Sequence, residues 1–197
     1  MRPQYHSVIV SNVPAGCERA LDVGCGLGEL TRRLRLLVPD VTGIDRDGRS
    51  IEHARAHPDA GDISYLHGDV LRHDFAPRSF DLVTAMASLH HMDARTALGR
   101  LRDLLRPGGL LAVVGLARGS SPVDIALTVP ATIGARLHRL AAGPGRTPEP
   151  DGYSAPTCWP PPASYRQMRR LADELLPGAR YRRHLYWRYS LIWRKPT

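Results

Sequence analysis

Short apolar runs alternate with amphipathic stretches along the first 116 residues. A short run that is apolar throughout is typical of a strand buried on both faces, whereas apolar residues three or four apart are typical of a helix packed on one side. The pattern predicts strands at 20–23, 41–44, 63–67, 80–85 and 110–116, and helices at 29–37, 49–56 and 94–105. Because strands and helices alternate, we expect a parallel sheet with right-handed crossovers.

The pattern changes in the last third of the chain. Residues 122–140 are predicted to be helical, with a kink or break at Pro130 because proline lacks the amide hydrogen. Residues 141–163 are rich in Pro and Gly, and form either a disordered linker or an ordered lid over a pocket. A helix at 164–176 follows. Two strands joined by a short connection, which must therefore be antiparallel, complete the prediction at 181–185 and 189–193.

Length and composition fit one globular domain that spans residues 1–197. The chain is 43% hydrophobic and 23% charged, as ordinary soluble proteins are. Its apolar runs fall well short of the about 18 residues that a membrane helix needs, and Val8–Val10 is too short for the core of a signal peptide. We expect a cytoplasmic protein; the sequence does not indicate an oligomeric state.

Three cysteines, Cys17, Cys25 and Cys158, are too few and too irregularly spaced to predict a disulfide framework. They form no CxxC pair, so the sequence predicts no metal site. Cys25 lies in a glycine-rich turn, where it is either a reactive thiol or a small side chain that fits the turn.

The net charge of +8 is concentrated at the end of the chain. Residues 164–197 carry nine Arg or Lys against Asp173 and Glu174, whereas the residues before them are nearly balanced. Such a region either attracts nucleic acid or another anion, or is simply a solvated surface. Aromatic residues that could stack on bases lie among these arginines: Tyr181, Tyr186, Trp187, Tyr189 and Trp193.

The strongest local motif is the glycine loop at residues 21–28, LDVGCGLG. A predicted strand runs directly into glycines at alternate positions, which allow a sharp turn and a close approach to a ligand. Dinucleotide-binding loops read GxGxxG and direct a helix N-terminus at a pyrophosphate. Here the spacing is GxGxG, and Asp22 precedes the first glycine by two residues. This arrangement favours a ligand that carries an ammonium group and no phosphate.

Two further carboxylates follow predicted strands. Asp45 ends the second strand, near the distance from the glycine loop at which an acidic residue contacts a ribose in such folds. One carboxylate can accept hydrogen bonds from both ribose hydroxyls. Asp69 follows the third strand, where it could accept a hydrogen bond from the exocyclic amine of adenine.

The motifs LDVGCGLGEL, TGID, GDV, FDLVTAMASLHHM and LLRPGGLLAV resemble those of the class I S-adenosylmethionine-dependent methyltransferases, in particular the small bacterial enzymes with a type 11 methyltransferase domain. The resemblance implies a doubly wound α/β fold: a Rossmann-like, seven-stranded, mostly parallel sheet with an antiparallel edge hairpin and helices on both faces. It implies S-adenosyl-L-methionine as cofactor.

By the same resemblance, Asp22 and the glycine loop hold the methionine end, Asp45 the ribose, and Asp69 with Val70 the adenine. An N-terminal segment covers the cofactor, and residues after the fourth strand line its sulfonium side. The cofactor-binding residues expected on this basis are Tyr5, His6, Asp22, Gly24, Cys25, Gly26, Gly28, Asp45, Arg46, Asp69, Val70, Ala85, Ser88 and His90.

The candidate catalytic residues are His90 and His91, at the carboxyl end of the fourth strand. If the acceptor is a phenol or an alcohol, a histidine there could act as the general base. Adjacent residues in an extended chain point in opposite directions, so we expect one of the two to face the pocket.

Three functions stay open at this point. The first is methyl transfer to an O, N or C nucleophile of a small molecule. The second is methylation of RNA or another nucleic acid, using the basic C-terminal region. Against it, residues 86–89 read MASL, unlike the Asn/Asp-Pro-Pro-aromatic sequence of the enzymes that methylate base amines. The third is a protein that has this fold but transfers no methyl group.

Overall fold

Seven strands form one sheet in the computed structural model, which describes residues 4–119 and 158–197. In sheet order they run β3-β2-β1-β4-β5-β7-β6. The first five strands in chain order are parallel, and β7 is antiparallel to both β5 and β6. The strands are β1 Arg19–Val23, β2 Asp40–Asp45, β3 Ser64–His67, β4 Phe80–Met86, β5 Leu105–Leu116, β6 Arg180–Arg183 and β7 Arg188–Arg194. The predicted mostly parallel sheet with an antiparallel edge hairpin is therefore confirmed.

Helices cover both faces of this sheet, as a doubly wound fold requires. In the described residues they are α1 Gln4–Val10, α2 Glu29–Arg35, α3 Gly48–Ala56, α4 Ala94–Leu104 and α5 Tyr165–Leu175. Helices α4 and α5 contribute to a core on one face, and α1 and α2 contribute to a core on the other. No helix in 4–119 or 158–197 combines the length and the apolar character that crossing a bilayer demands.

Strand β1 shows why the sequence pattern identified buried strands. Leu21 and Val23 point toward the core that contains α4 and α5, and Ala20 points toward the core that contains α1 and α2. All three side chains are buried. A strand that is apolar on both faces must lie inside the sheet, and β1 pairs with β2 on one side and β4 on the other.

Several element boundaries differ from those expected. Helix α4 ends at Leu104, and β5 begins immediately afterwards at Leu105. Strand β6 ends at Arg183, two residues before the predicted end. The pattern did not reveal helix α1, which is short. The helix predicted at 122–140 and residues 141–157 of the Pro/Gly-rich segment lie outside the described residues.

Lys195, the single lysine of the chain, fastens the end of β7 to helix α4. Its ammonium donates hydrogen bonds to the carbonyl oxygens of Arg102 (2.9 Å) and Leu105 (2.8 Å). These carbonyls belong to the last turn of the helix and the residue after it, where the carbonyl groups have no N–H partner within the helix. One cation therefore satisfies two backbone acceptors and ties the C-terminal residues to the body of the fold.

Candidate functional site

A cavity of about 610 Å³ opens at the carboxyl ends of β1, β2, β3 and β4. This is the edge at which open α/β sheets bind ligands. Its lining residues come from four consecutive strand ends: Gly24, Gly26, Ile44, Asp45, Arg46, Asp47, Gly68, Asp69, Val70, Met86, Ala87, Ser88, His91 and Met92. The sequence predicted eight of them, and the structure brings these eight together in one place.

Gly24 allows the chain that leaves β1 to lie directly against Ser88. Its φ of +70° lies in the left-handed region, and a Cβ there would lie 2.2 Å from the Cβ of Ser88. The Gly24 N–H donates to the carbonyl oxygen of Ile44 at 2.8 Å, and the Ser88 hydroxyl donates to the carbonyl oxygen of Val23 at 2.7 Å. The loop between β1 and α2 is thus fixed against the ends of both neighbouring strands.

Asp45 is held by two backbone N–H groups at the end of β2. Its Oδ2 accepts from the N–H of Gly26 at 2.8 Å, and its Oδ1 accepts from the N–H of Asp47 at 2.9 Å. The carboxylate is only partly buried, so its remaining lone pairs can still accept from a ligand. A Cβ at Gly26 would meet no atom within 4 Å, because this part of the loop borders open space.

Asp69 and Val70 form the neighbouring part of the wall, after β3. The Asp69 Oδ1 accepts from the N–H of Leu71 at 3.0 Å, which turns the chain after the strand. The N–H of Gly68 donates to the carbonyl oxygen of Asp45 at 2.8 Å and links the two strand ends. Val70 is buried and packs in the core that contains α4. A carboxylate and an apolar side chain therefore lie side by side in this wall.

Asp22 lies beneath the glycine loop and does not line the cavity. It is 1% exposed, and its carboxylate accepts hydrogen bonds from the hydroxyls of Thr31 (2.7 Å) and Thr84 (2.8 Å). Burial raises the pKa of Asp22 to about 6, although both hydroxyls oppose that shift. The structure thus places a titratable group, held by two hydroxyls, directly under the loop.

Cys25 points away from the cavity, into a small core beside α3. Its partners there are Ile51, Ala54 and Tyr65. Burial raises the pKa of the Cys25 thiol well above its usual range, so the thiol stays protonated at neutral pH. Of the two interpretations of Cys25, the structure supports the small side chain that fits the turn.

Four more of the expected residues do not line the cavity. Gly28 is the N-cap residue of helix α2, and Ala85 is buried inside β4. Tyr5 and His6 are buried in α1: the Tyr5 hydroxyl donates to the carbonyl oxygen of Leu185 at 3.1 Å, and His6 Nδ1 lies 3.2 Å from the carboxylate of Glu29. Helix α1 is thereby tied to the loop before β7 and to helix α2, rather than to the cavity wall.

His90 and His91 lie in a 3-10 turn at Leu89–His91, and their rings are 4.1 Å apart. His91 is exposed and lines the cavity, whereas His90 is half-buried outside its wall. Burial, together with the electrostatic effects of His91 and Arg188, lowers the pKa of His90 to about 4, so His90 is neutral at pH 7. The adjacent Asp93 caps helix α4 and accepts from the N–H of Thr96 at 2.8 Å.

Six lining residues are not among those predicted from the sequence: Ile44, Asp47, Gly68, Met86, Ala87 and Met92. Each lies within two residues of a predicted site residue, so its position at a strand end is the signal that points to it. Ala87 has a φ of +52°, rare for a residue with a side chain, and it redirects the chain as it leaves β4. Nothing in the sequence marks that conformation.

The similarities to known proteins agree with the position of the cavity at the carboxyl ends of the strands. The family model described as "Methyltransferase domain" matches residues 21–113. An uncharacterized methyltransferase of Mycobacterium bovis is 36% identical over 194 residues, which cover 98% of this chain and 95% of the relative. An O-methyltransferase of Penicillium expansum is 38% identical over 109 residues, which cover 52% of this chain and 40% of that enzyme.

Among solved structures, the N-methyltransferase NodS of Bradyrhizobium japonicum has a TM-score of 0.64. The match covers 98% of this chain and 93% of NodS, at 19% sequence identity. At this level of identity the likeness concerns the fold.

Proposed function

Because the chain belongs to the methyltransferase-domain family and is an S-adenosylmethionine-dependent methyltransferase, we propose that it methylates a small-molecule acceptor and holds its cofactor in the cavity at the carboxyl edge of the sheet. We further propose that residues 1–197 act as a single domain. The observation that carries the proposal is the Asp45 carboxylate, which two backbone N–H groups fix beside the glycine loop.

The cavity suits this cofactor in size. Its volume of about 610 Å³ falls within the range that small-molecule sites occupy. In our assignment the ribose hydroxyls donate to Asp45, and the adenine lies between Val70 and the Asp69 carboxylate. The methionine end approaches Gly24 and Gly26, and the missing side chain at Gly26 leaves open space for it.

The charge of the cavity supports the same assignment. Asp45, Asp47 and Asp69 line it, and Arg46 is the one guanidinium group among its described lining residues. Asp22 adds a fourth carboxyl group just beneath the glycine loop. This surplus of acidic groups repels a pyrophosphate and attracts a ligand that carries ammonium and sulfonium charges. A dinucleotide is disfavoured for the same reason.

When bound, the cofactor supplies a methyl group that is already strongly electrophilic. The chain's contribution is then to orient the acceptor and to exclude water. Ser88 and the adjacent Ala87 form the wall beside the glycine loop, and Met86 and Met92 provide apolar surface there. His91, exposed within this wall, is the residue that we assign as general base for a phenol or alcohol acceptor. The sequence similarity to the O-methyltransferase of Penicillium expansum supports such an acceptor.

A nucleic-acid acceptor is disfavoured by three of the five aromatic residues near the C-terminus, Tyr181, Tyr189 and Trp193. Tyr189 and Trp193 are 1% and 4% exposed and belong to the core that contains α4 and α5. Tyr181 stacks on Tyr189 at 5.3 Å, and the indole N–H of Trp193 donates to the carbonyl oxygen of Pro177. These rings stabilise the edge of the sheet, so they offer no platform on which bases could stack.

Calorimetric titration of the full chain tests the cofactor assignment. We expect S-adenosylmethionine and S-adenosylhomocysteine to bind at one site per chain, and NAD not to bind. A radiolabelled methyl-transfer screen against phenols, alcohols, amines and a mixed RNA then tests the acceptor class. Transfer to RNA and to no small molecule would overturn the small-molecule proposal.

A further inference from the structure

Three arginines line a second concavity, of about 620 Å³, that shares no lining residue with the proposed cofactor cavity. Arg118 follows β5, and Arg166 and Arg170 lie one turn apart on helix α5. All three side chains are exposed. The other residues that line the concavity, Gly119, Ser164 and Gln167, carry no charge. Three cationic groups thus share one concave surface, and no acidic group lies among the described residues of its wall.

A backbone frame fixes the relative position of the two segments. The N–H of Arg118 donates to the carbonyl oxygen of Ala163 at 3.0 Å, and the N–H of Tyr165 donates to the carbonyl oxygen of Arg118 at 3.1 Å. Ser164 and Gln167 form a reciprocal capping box at the start of α5. These backbone N–H groups are committed to the frame, and we therefore assign ligand binding to the guanidinium groups.

Within 4–119 and 158–197, none of these three guanidinium groups forms an ion pair. Other arginines nearby do have acidic partners. Arg169 lies 3.9 Å from Asp173 on the same helix, and Arg95 pairs with Glu174. Concentrating like charges without counter-charges costs free energy, and a bound anion would relieve this cost.

We propose that Arg118, Arg166 and Arg170 bind a phosphate group, and that this phosphate belongs to the acceptor. Guanidinium groups donate paired hydrogen bonds that match the oxygens of a phosphate, and three of them supply enough positive charge to neutralise a phosphomonoester or a diphosphate. The acceptor is then a small molecule that carries its phosphate away from the atom that is methylated.

The position of the three arginines fits an acceptor that extends along the edge of the sheet. Arg118 lies two residues beyond β5, and β5 is parallel to β4, whose carboxyl end leads to His91. The arginine site and the wall that contains His91 therefore share one edge of the sheet. Assigning the phosphate to the acceptor rests on the proposed function, whereas phosphate binding itself does not.

A localised site explains the charges better than an extended nucleic-acid surface does. Asp173 and Glu174 lie on the same helix as Arg166 and Arg170, and each has an arginine partner. These acidic groups interrupt the basic surface of α5. A polyanion lying along the helix would meet them, whereas a compact phosphate among the three arginines would not.

Calorimetric titration of inorganic pyrophosphate into the full chain tests the site. We expect saturable binding at one site, weakened at least tenfold in the double variant Arg166→Gln/Arg170→Gln. The matched control is Arg169→Gln, on the same helix and with the same change in charge per substitution, which should alter the pyrophosphate Kd less than twofold. S-adenosylhomocysteine should bind all three proteins alike, and it should bind together with pyrophosphate.

The proposal would be overturned if pyrophosphate does not bind saturably, or if Arg169→Gln weakens binding as much per charge as the double variant does, which indicates attraction by the net positive charge of the surface. It would also be overturned if S-adenosylhomocysteine displaces pyrophosphate, which indicates binding in the cofactor cavity. The fourth such outcome is a twelve-nucleotide RNA that binds more tightly than pyrophosphate and whose binding is weakened by substitution of Arg169 as well as of Arg166 and Arg170. If pyrophosphate binds as expected but S-adenosylmethionine does not bind, the phosphate site stands and the cofactor assignment falls.

Discussion

Ser88 lies against Gly24 so closely that the glycine has no room for a single added carbon. This contact joins the loop after β1 to the turn after β4, and the two segments together form the wall in which we place the methionine end of the cofactor. The cavity therefore depends on the absence of a side chain as much as on the carboxylates around it.

Gly24→Ala should weaken S-adenosylmethionine binding at least tenfold. The added Cβ would lie 2.2 Å from the Cβ of Ser88, so the loop or the turn has to move. Gly16→Ala is the matched control: its φ of +71° imposes the same backbone strain, but a Cβ there meets nothing within 4 Å. We expect the control to lose about 1 kcal/mol of stability and to keep its affinity. Equal affinity in both variants would contradict the assignment of this wall.

Asp45→Asn should raise the Kd for S-adenosylmethionine at least tenfold. The amide keeps the shape of the side chain, but its nitrogen cannot accept a hydrogen bond from a backbone N–H or a ribose hydroxyl. Asp62→Asn is a suitable control, because the side chain of Asp62 is 95% exposed. Isothermal calorimetry on both variants measures the difference. An unchanged Kd for Asp45→Asn would remove Asp45 from the cofactor site.

His91→Gln should lower kcat by about 100-fold or more for a phenol or alcohol acceptor, the usual size of a general-base effect. The cofactor Kd should stay within about twofold of the wild type. His90→Gln, which changes the neighbouring ring outside the cavity wall, should lower kcat much less. Steady-state kinetics with an acceptor from the screen makes the comparison. A larger loss of kcat in His90→Gln than in His91→Gln would assign the general base to His90 instead of His91.

Asp22 should make the folded protein less stable as the pH rises from about 4 to about 6. Its pKa is about 6 in the folded state against 3.8 for an ordinary aspartate, so the folded state holds the proton more tightly. The stabilisation is complete below the unfolded pKa and is lost as the pH passes through the folded one. A shift of this size corresponds to at most about 3 kcal/mol.

Urea denaturation of the wild type and of Asp22→Asn at pH 4 and pH 7 isolates this effect, because other titrating groups cancel in the difference. The wild type should lose stability relative to the variant as the pH rises. A difference that does not change with pH would mean that Asp22 titrates normally.

The sequence alone predicted the parts of the fold that depend on local pattern. Strands β1, β2, β4 and β5 carry buried apolar residues on both faces. Three site segments directly follow strands β1, β2 and β3, so their convergence on one edge follows from the topology.

The direction of individual side chains could not be predicted in this way. Asp22 and Cys25 belong to the glycine motif, yet both are buried against other elements, because the packing of α2, α3 and β4 decides where they point. The choice between His90 and His91 likewise depends on how the chain turns after β4. Arg118 and Arg166 are far apart in the sequence, and the pairing between Arg118 and Ser164 brings them together.

Lys195 has a practical consequence for anyone who studies how this fold opens. A reagent that modifies side-chain amines has one lysine to attack in the whole sequence, and that amine is engaged with two carbonyl oxygens at the end of α4. Modification requires the ammonium to leave both acceptors, so its rate reports how often the C-terminal residues separate from the helix. The chain thus carries a built-in chemical reporter of local unfolding at one defined position.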